Sequence, residues 1–310
     1  MAIDWLMNLT KSGNESLTLG RHTLFGIFSS GLLLLSFDSI RKLITLALTT
    51  DGDNSHSSYV LLIPFISAVL IYSERARIFC NLRTSVRPAA LVFVLGGLLF
   101  YASRTFGVTL SENAYVELVA AAVIAFWLGG FVLIYGSIAF KAALFPLTLL
   151  LLTIPIPTPI IHRSVLLLQR GSADLTSMLF TLAGTPFYRS SEFVFKFPGL
   201  AIEVAEECSG IRSTIGMLVV SLLAAHLLLR SNWKRMALLI AVVPVSMFKN
   251  AIRIVTLTLL AMHYDMGFLT GRLHHEGGVV FMAGGLLLMY PILAVLVRFD
   301  EKVLGSGVRS

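Results

Sequence analysis

Residues 115–136 read YVELVAAAVIAFWLGGFVLIYG, with Glu117 as the one charge. As a helix this stretch is long enough to cross the hydrocarbon core of a bilayer, about 30 Å thick. Similar runs lie on both sides of it, at 22–37, 58–73, 88–104, 140–156, 211–229, 235–257 and 277–298. The runs at 22–37 and 140–156 are short. The expectation is an all-α polytopic membrane protein with about eight transmembrane helices.

Composition agrees. The chain has 310 residues, 56% hydrophobic and 13% charged, and its mean hydropathy is +0.84. A soluble domain needs more polar surface than that. No soluble domain fits between the runs, so residues 1–310 are expected to form a single integral membrane domain. Within it, 1–21 is expected to be an N-terminal cytoplasmic tail, 157–207 an external insert and 299–310 a cytoplasmic tail. The N-terminus lacks a short cleavable apolar region, so the run around Phe25 to Phe37 is expected to stay as a membrane segment. The net charge of +7 is loop lysine and arginine facing the cytoplasm, and it does not indicate nucleic-acid binding.

Loop arginines set the orientation. Glu74 to Arg87 carries Arg75, Arg77, Arg83 and Arg87 against one acid, and Arg230, Lys234 and Arg235 crowd another turn. Both segments are expected inside. The opposite loops carry Asp51, Asp53 and His56, or Glu112, and are expected outside. Both termini then fall inside. Arg41-Lys42 departs from this pattern, and a helix on the membrane surface would tolerate it. Cys80 becomes cytoplasmic and Cys208 external, so the two cysteines cannot pair.

The external insert has its own pattern. Pro155, Pro157 and Pro159 stop a helix, because proline lacks the backbone donor and restricts its predecessor. Residues 160–183 show a helical pattern with Arg163, Arg170 and Asp174 among leucines, as in a helix on or partly in the membrane surface. Phe193, Phe195 and Phe197 then alternate with other residues up to Pro198-Gly199. Leu200, Ile202 and Val204 alternate after it. Period two on both sides of a Pro-Gly turn predicts a β-hairpin that delivers the chain to Cys208.

Cys208 stands in Glu206-Glu207-Cys208-Ser209-Gly210-Ile211-Arg212, at the start of the sixth expected helix. Downstream come Asn250-Ala251-Ile252-Arg253 and His274-His275-Glu276-Gly277-Gly278. The seventh helix is expected to start inside near Met236, which places Arg253 about 26 Å further on, near the outer interface. The histidines precede the eighth helix. Loop charge alone therefore puts thiol, guanidinium and imidazole on the external face. A thiol becomes a good nucleophile when ionised, by a histidine that takes its proton or by a helix N-terminus. Gly210 allows close backbone approach. Arg253 can stabilise the oxyanion of a tetrahedral intermediate, and the histidine can protonate the leaving amine. Each residue also has a plainer reading. A lone cysteine beside a membrane helix packs, an arginine at a helix end snorkels, and a loop histidine is solvated. Glu203, Glu206 and Glu207 can form a polar rim.

These motifs resemble the exosortase/archaeosortase family. His56-Ser57-Ser58-Tyr59, Leu144-Phe145-Pro146 through Pro157, and Gly184-Thr185-Pro186 with the strand pair extend the resemblance over roughly residues 50–298. It implies a protein-sorting cysteine transpeptidase of the plasma (inner) membrane, multi-pass, with its site on the external or periplasmic side. Its partners would be membrane lipid, exported proteins with a C-terminal motif–helix–basic tail signal, and a lipid or polysaccharide acceptor. Carried over, Cys208 is the nucleophile and Arg253 the transition-state stabiliser. His274 is the acid/base with His275 in reserve, and Glu207, Ser209, Gly210, Arg212 and Asn250 are supporting residues. No metal and no cofactor are implied. The extra C-terminal domain of some members is expected to be absent.

Two other classes compete. One is a metal-dependent intramembrane protease of the prenyl-protein protease type. Glu206-Glu207 and Arg212 are one residue too far apart for its motif, and His274-His275-Glu276 lacks the helical two-histidine spacing. The other is a non-catalytic transporter that uses Arg253 for an anionic substrate, but no pair of broken helices in matching halves is evident.

Overall fold

The computed structural model describes residues 2–48, 59–106, 111–270 and 278–306. It is mostly helical and divides into two compact units, Met1–Thr158 and Pro159–Ser310. Among the described residues, five helices are long and apolar enough to cross a membrane, or up to seven if two broken pairs each count as one span. The chain is a multi-pass membrane protein. Several of the eight expected runs are folded as short or broken helices, and Tyr59–Ser73 is a shorter apolar helix beside them.

In the first unit, α1 (Ala2–Leu35) reaches much further toward the N-terminus than the expected span at 22–37. After Ser36 the chain bends by 69° into α2 (Phe37–Leu48), which carries Arg41 and Lys42. A short helix turned away from its neighbour suits a basic pair that a crossing helix would not tolerate. Next come α3 (Tyr59–Ser73) and the single turn α4 (Arg75–Ile78). At 15 residues, α3 extends only about 22 Å. The long pair α5 (Val86–Phe106) and α6 (Glu112–Ala142) follows. More than half of the apolar stretch of α6 is buried, whereas α5 is mostly exposed. So α6 is the centre of this unit, while the exposed Leu91, Val94, Leu98 and Tyr101 of α5 are suited to lipid. Glycines let the helices close up. A Cβ on Gly129 would stand 3.1 Å from the Phe93 ring, and one on Gly130 would overlap Phe28.

The fourth span was expected to end at 136 and a fifth to run from 140 to 156. Gly136 does break α6, with φ +91 and ψ 170. The helix resumes to Ala142, and only then come the short α7 (Leu144–Leu149) and a 3-10 turn to Thr153. These ten or so residues cannot cross a bilayer alone. Polar backbone freed inside a membrane protein must find partners. Arg21 donates to the Ile134 carbonyl at 2.9 Å, and the Ser137 N–H donates to Ser85 Oγ at 3.0 Å.

The second unit begins with α8 (Thr158–Leu182), which starts after the proline stretch. Ile161, Val165, Leu168, Ser172, Thr176 and Phe180 are buried along one face, while Arg163, Arg170 and Asp174 are exposed. That is the amphipathic pattern the sequence announces. The hairpin forms as expected from β2 (Val194–Phe197) and β3 (Leu200–Glu203), paired antiparallel with Phe195 opposite Ile202. A two-residue strand β1 (Tyr188–Arg189) adds to β2 and makes the order β1-β2-β3. It is too short for its alternation to be read. Phe180, Phe195, Phe197 and Val204 form a core with Ile254, Val255, Leu259 and Met262. Each buried phenylalanine contributes about 1.5–3 kcal/mol.

The rest of the unit is α9 (Ile211–Leu228), α10 (Asn232–His263), the turn α11 (Gly267–Thr270) and α12 (Gly278–Ser306). The seventh span was expected to stop at 257. Its extra turns, with Leu259 and Met262, pack on the phenylalanine core.

Candidate active site

The segment before Cys208 is fixed from below by the sheet. Gln169 Nε2 of α8 donates to the Val204 carbonyl at 2.5 Å, and both residues are buried. Arg170 pairs with Glu192 at 2.7 Å, and Arg189 with Asp174 at 2.8 Å. These exposed pairs are worth at most about 1 kcal/mol each. The buried amide bond matters more, because a buried carbonyl without a partner costs about 1–3 kcal/mol.

From Ala205 the chain enters a 3-10 turn, Glu206–Ser209, that carries the Cys208 backbone. The side chains of Glu207 and Cys208 lie outside the described residues. Ser209 is buried, and its Oγ accepts from the Ile211 N–H at 3.4 Å. Gly210 follows with φ +75 and ψ 17, a left-handed conformation open to glycine without strain. It is the N-cap of α9. The hydroxyls of Ser213 and Thr214 both donate to the Gly210 carbonyl at 2.9 Å.

The antiparallel packing of α9 and α10 then does the assembling. Ile211 lies as many residues before the end of α9 as Lys249 lies after the start of α10. Gly210 is therefore level with Lys249 and Asn250. The contact is close: a Cβ on Gly210 would stand 3.2 Å from Asn250 Oδ1 and 3.4 Å from Lys249 Nζ. Asn250 is buried, and its Nδ2 donates to Ser172 Oγ on α8 at 3.3 Å. Lys249 is only 4% exposed, and its ammonium donates to Ser213 Oγ.

Arg253 lies three residues beyond Asn250, on the adjoining turn. It is half-buried, and its guanidinium sits 6.0 Å from the Phe281 ring centroid of α12. Gly285 of α12 comes equally close to the Lys249 stem, where a Cβ would stand 3.1 Å from Lys249 Cδ. The start of α9, the Lys249–Arg253 turn in the middle of α10 and the first turns of α12 thus lie side by side. His274 and His275 lie outside the described residues. The chain enters α12 at Gly278, four residues after His274. Arg212 is exposed on the first turn of α9.

Sequence reading missed Lys249. The signal was present, since an ionisable residue within an apolar helix marks a functional position by default. It was hidden by its place next to Asn250, which drew the attention. Ser172, Gln169 and Ser213 had no signal of their own, because one serine or glutamine in an apolar helix is common.

A family profile, Transmembrane exosortase (Exosortase_EpsH), matches residues 51–291. The chain belongs to the exosortase family. No curated protein and no solved structure matches it. In this exosortase-family chain the match includes the Cys208 turn, the Asn250–Arg253 turn and the histidine segment. The family is one of membrane proteins concerned with protein sorting.

Proposed function

We propose that this chain is a cysteine transpeptidase that cleaves the C-terminal sorting signal of exported proteins and passes them to an acceptor. The observation that carries this reading is the seating of Gly210 against Lys249 and Asn250. Two motifs about forty residues apart, Cys208-Ser209-Gly210 at the start of α9 and Asn250-Ala251-Ile252-Arg253 in the middle of α10, are drawn together where α9, α10 and α12 pack.

In the proposed reaction the Cys208 thiolate attacks the carbonyl carbon of the scissile peptide. The C=O π pair moves to oxygen, and Arg253 stabilises that oxyanion. Collapse breaks the C–N bond, His274 (or His275) protonates the departing amine, and the helix with its basic tail leaves. A thioester remains. An acceptor nucleophile, a lipid or polysaccharide hydroxyl or amine, gives its proton to the histidine, attacks the thioester and expels the thiolate. The signal helix places the scissile motif at the membrane surface, so the site works on the external face of the plasma membrane.

The test uses a co-produced exported protein that ends in a short motif, an apolar helix and arginines. Cys208→Ser should insert normally and lose processing, because a hydroxyl is much harder to ionise than a thiol. Full processing by Cys208→Ala would end the cysteine reading. For sidedness, a cysteine at Ser231 in a Cys80→Ser, Cys208→Ala background should label only from the inside. Labelling only from outside inverts the orientation.

A further inference from the structure

Lys249 is the least explained charge in the described residues. It sits in the interior of α10, within a membrane-spanning segment, and is 4% exposed. Burying an ammonium is costly unless it meets negative charge. No carboxylate among the described residues pairs with it. Its polar partner is a neutral hydroxyl, Ser213 Oγ. The other groups facing it are the Asn250 amide, the Arg253 guanidinium one turn on, and the backbone of Gly285. Arg253 adds to the positive potential rather than offsetting it. A buried ammonium held by a neutral hydroxyl suits a place where negative charge forms.

The geometry indicates where. Ser213 Oγ, which receives the ammonium, itself donates to the Gly210 carbonyl. The Nζ atom lies 3.4 Å from the space a Gly210 side chain would take. It therefore stands beside the first turn of α9, an 18-residue helix whose N-cap offers no side-chain acceptor. The dipole of α9 and the ammonium both favour an anion at this point. Cys208 is two residues before Gly210, so their Cα atoms are within about 7 Å.

We propose that Lys249 is a positioning residue for the nucleophile. Its buried ammonium, held by Ser213, stabilises the thiolate of Cys208 before substrate arrives. This rests on the cysteine reading given above. A unit charge at about 10 Å and an effective dielectric of about 20 shifts the thiol by roughly one pKa unit. Arg253 then serves the oxyanion, and the histidine the leaving amine. Lys249 and Arg253 then have separate duties.

The test needs no sorting substrate. Full-length Cys80→Ser protein in detergent has Cys208 as its only thiol, and its alkylation by iodoacetamide is followed against pH. Lys249→Met should raise the midpoint by about one unit and slow alkylation near neutral pH by up to roughly tenfold. Lys249→Arg, which keeps the charge, should restore most of the shift. A merely structural lysine would not move this midpoint. An unshifted midpoint in folded Lys249→Met overturns the proposal. If that variant does not fold, Lys249→Gln carries the same expectation and the same refutation. Failure of the underlying reading looks different: processing would survive Cys208→Ala. Survival there combined with loss in Ser213→Ala would assign Lys249 to a serine nucleophile and equally overturn the proposal.

Discussion

Gly210→Ala separates backbone strain from contact geometry. At φ +75 an alanine costs roughly 1–2 kcal/mol in the left-handed region. Its methyl would also press on Asn250 Oδ1 at 3.2 Å and Lys249 Nζ at 3.4 Å. Ordinary contacts begin near 3.4 Å, so the Asn250 amide or the backbone of the Cys208 turn gives by a few tenths of an ångström. Misplacement of a catalytic group by 1 Å costs about 100-fold, so about 0.3 Å should cost roughly fourfold in processing rate. Gly184 supplies the control. Its φ is +65 and a Cβ there meets nothing within 4 Å. Gly184→Ala should therefore lose similar stability and keep its rate. The assay pairs the melting temperature of purified protein with the rate of substrate processing in cells. Equal losses of rate in the two variants would refute the reasoning, since the contact with α10 would then play no part. Wild-type rate in Gly210→Ala would refute it more directly.

Arg253→Lys keeps the charge but loses the planar fork, so processing should fall to a small fraction while substrate still co-purifies; near-wild-type turnover would make Arg253 structural and point to Arg212. His274→Ala should abolish processing and His275→Ala should be milder, and the reverse result, read in the same assay, moves the acid/base role to His275. Gln169→Leu leaves the buried Val204 carbonyl without its described donor, and should cost about 1–3 kcal/mol by thermal unfolding with increased proteolysis of residues 184–207. Gly136→Ala should reduce the yield of folded protein sharply, because its Cβ would fall 1.7 Å from the Arg83 carbonyl oxygen, and normal yield and melting temperature would argue against the break in α6.

The sequence alone carried the membrane class, the long helices and the hairpin. The physical reason is that each depends on short-range periodicity: near-continuous apolar runs for α5, α6, α9, α10 and α12, and alternation around Pro198-Gly199 for β2 and β3. It also carried the pairing of the Cys208 and Arg253 ends, because α9 and α10 are joined by only a few residues and must run antiparallel. The break inside α6 was not legible. It depends on partners far along the chain, such as Arg21 on the Ile134 carbonyl and Ser85 on the Ser137 N–H, on either side of Gly136. The length of α10 was hidden for a similar reason, since Leu259 and Met262 gain their place from phenylalanines of α8 and β2. Lys249 shows the limit most clearly. The sequence places a lysine beside a motif asparagine, but only tertiary packing buries it, gives it the Ser213 hydroxyl as a partner, and sets it beside Gly210, because burial and charge pairing are properties of the neighbours and not of the residue.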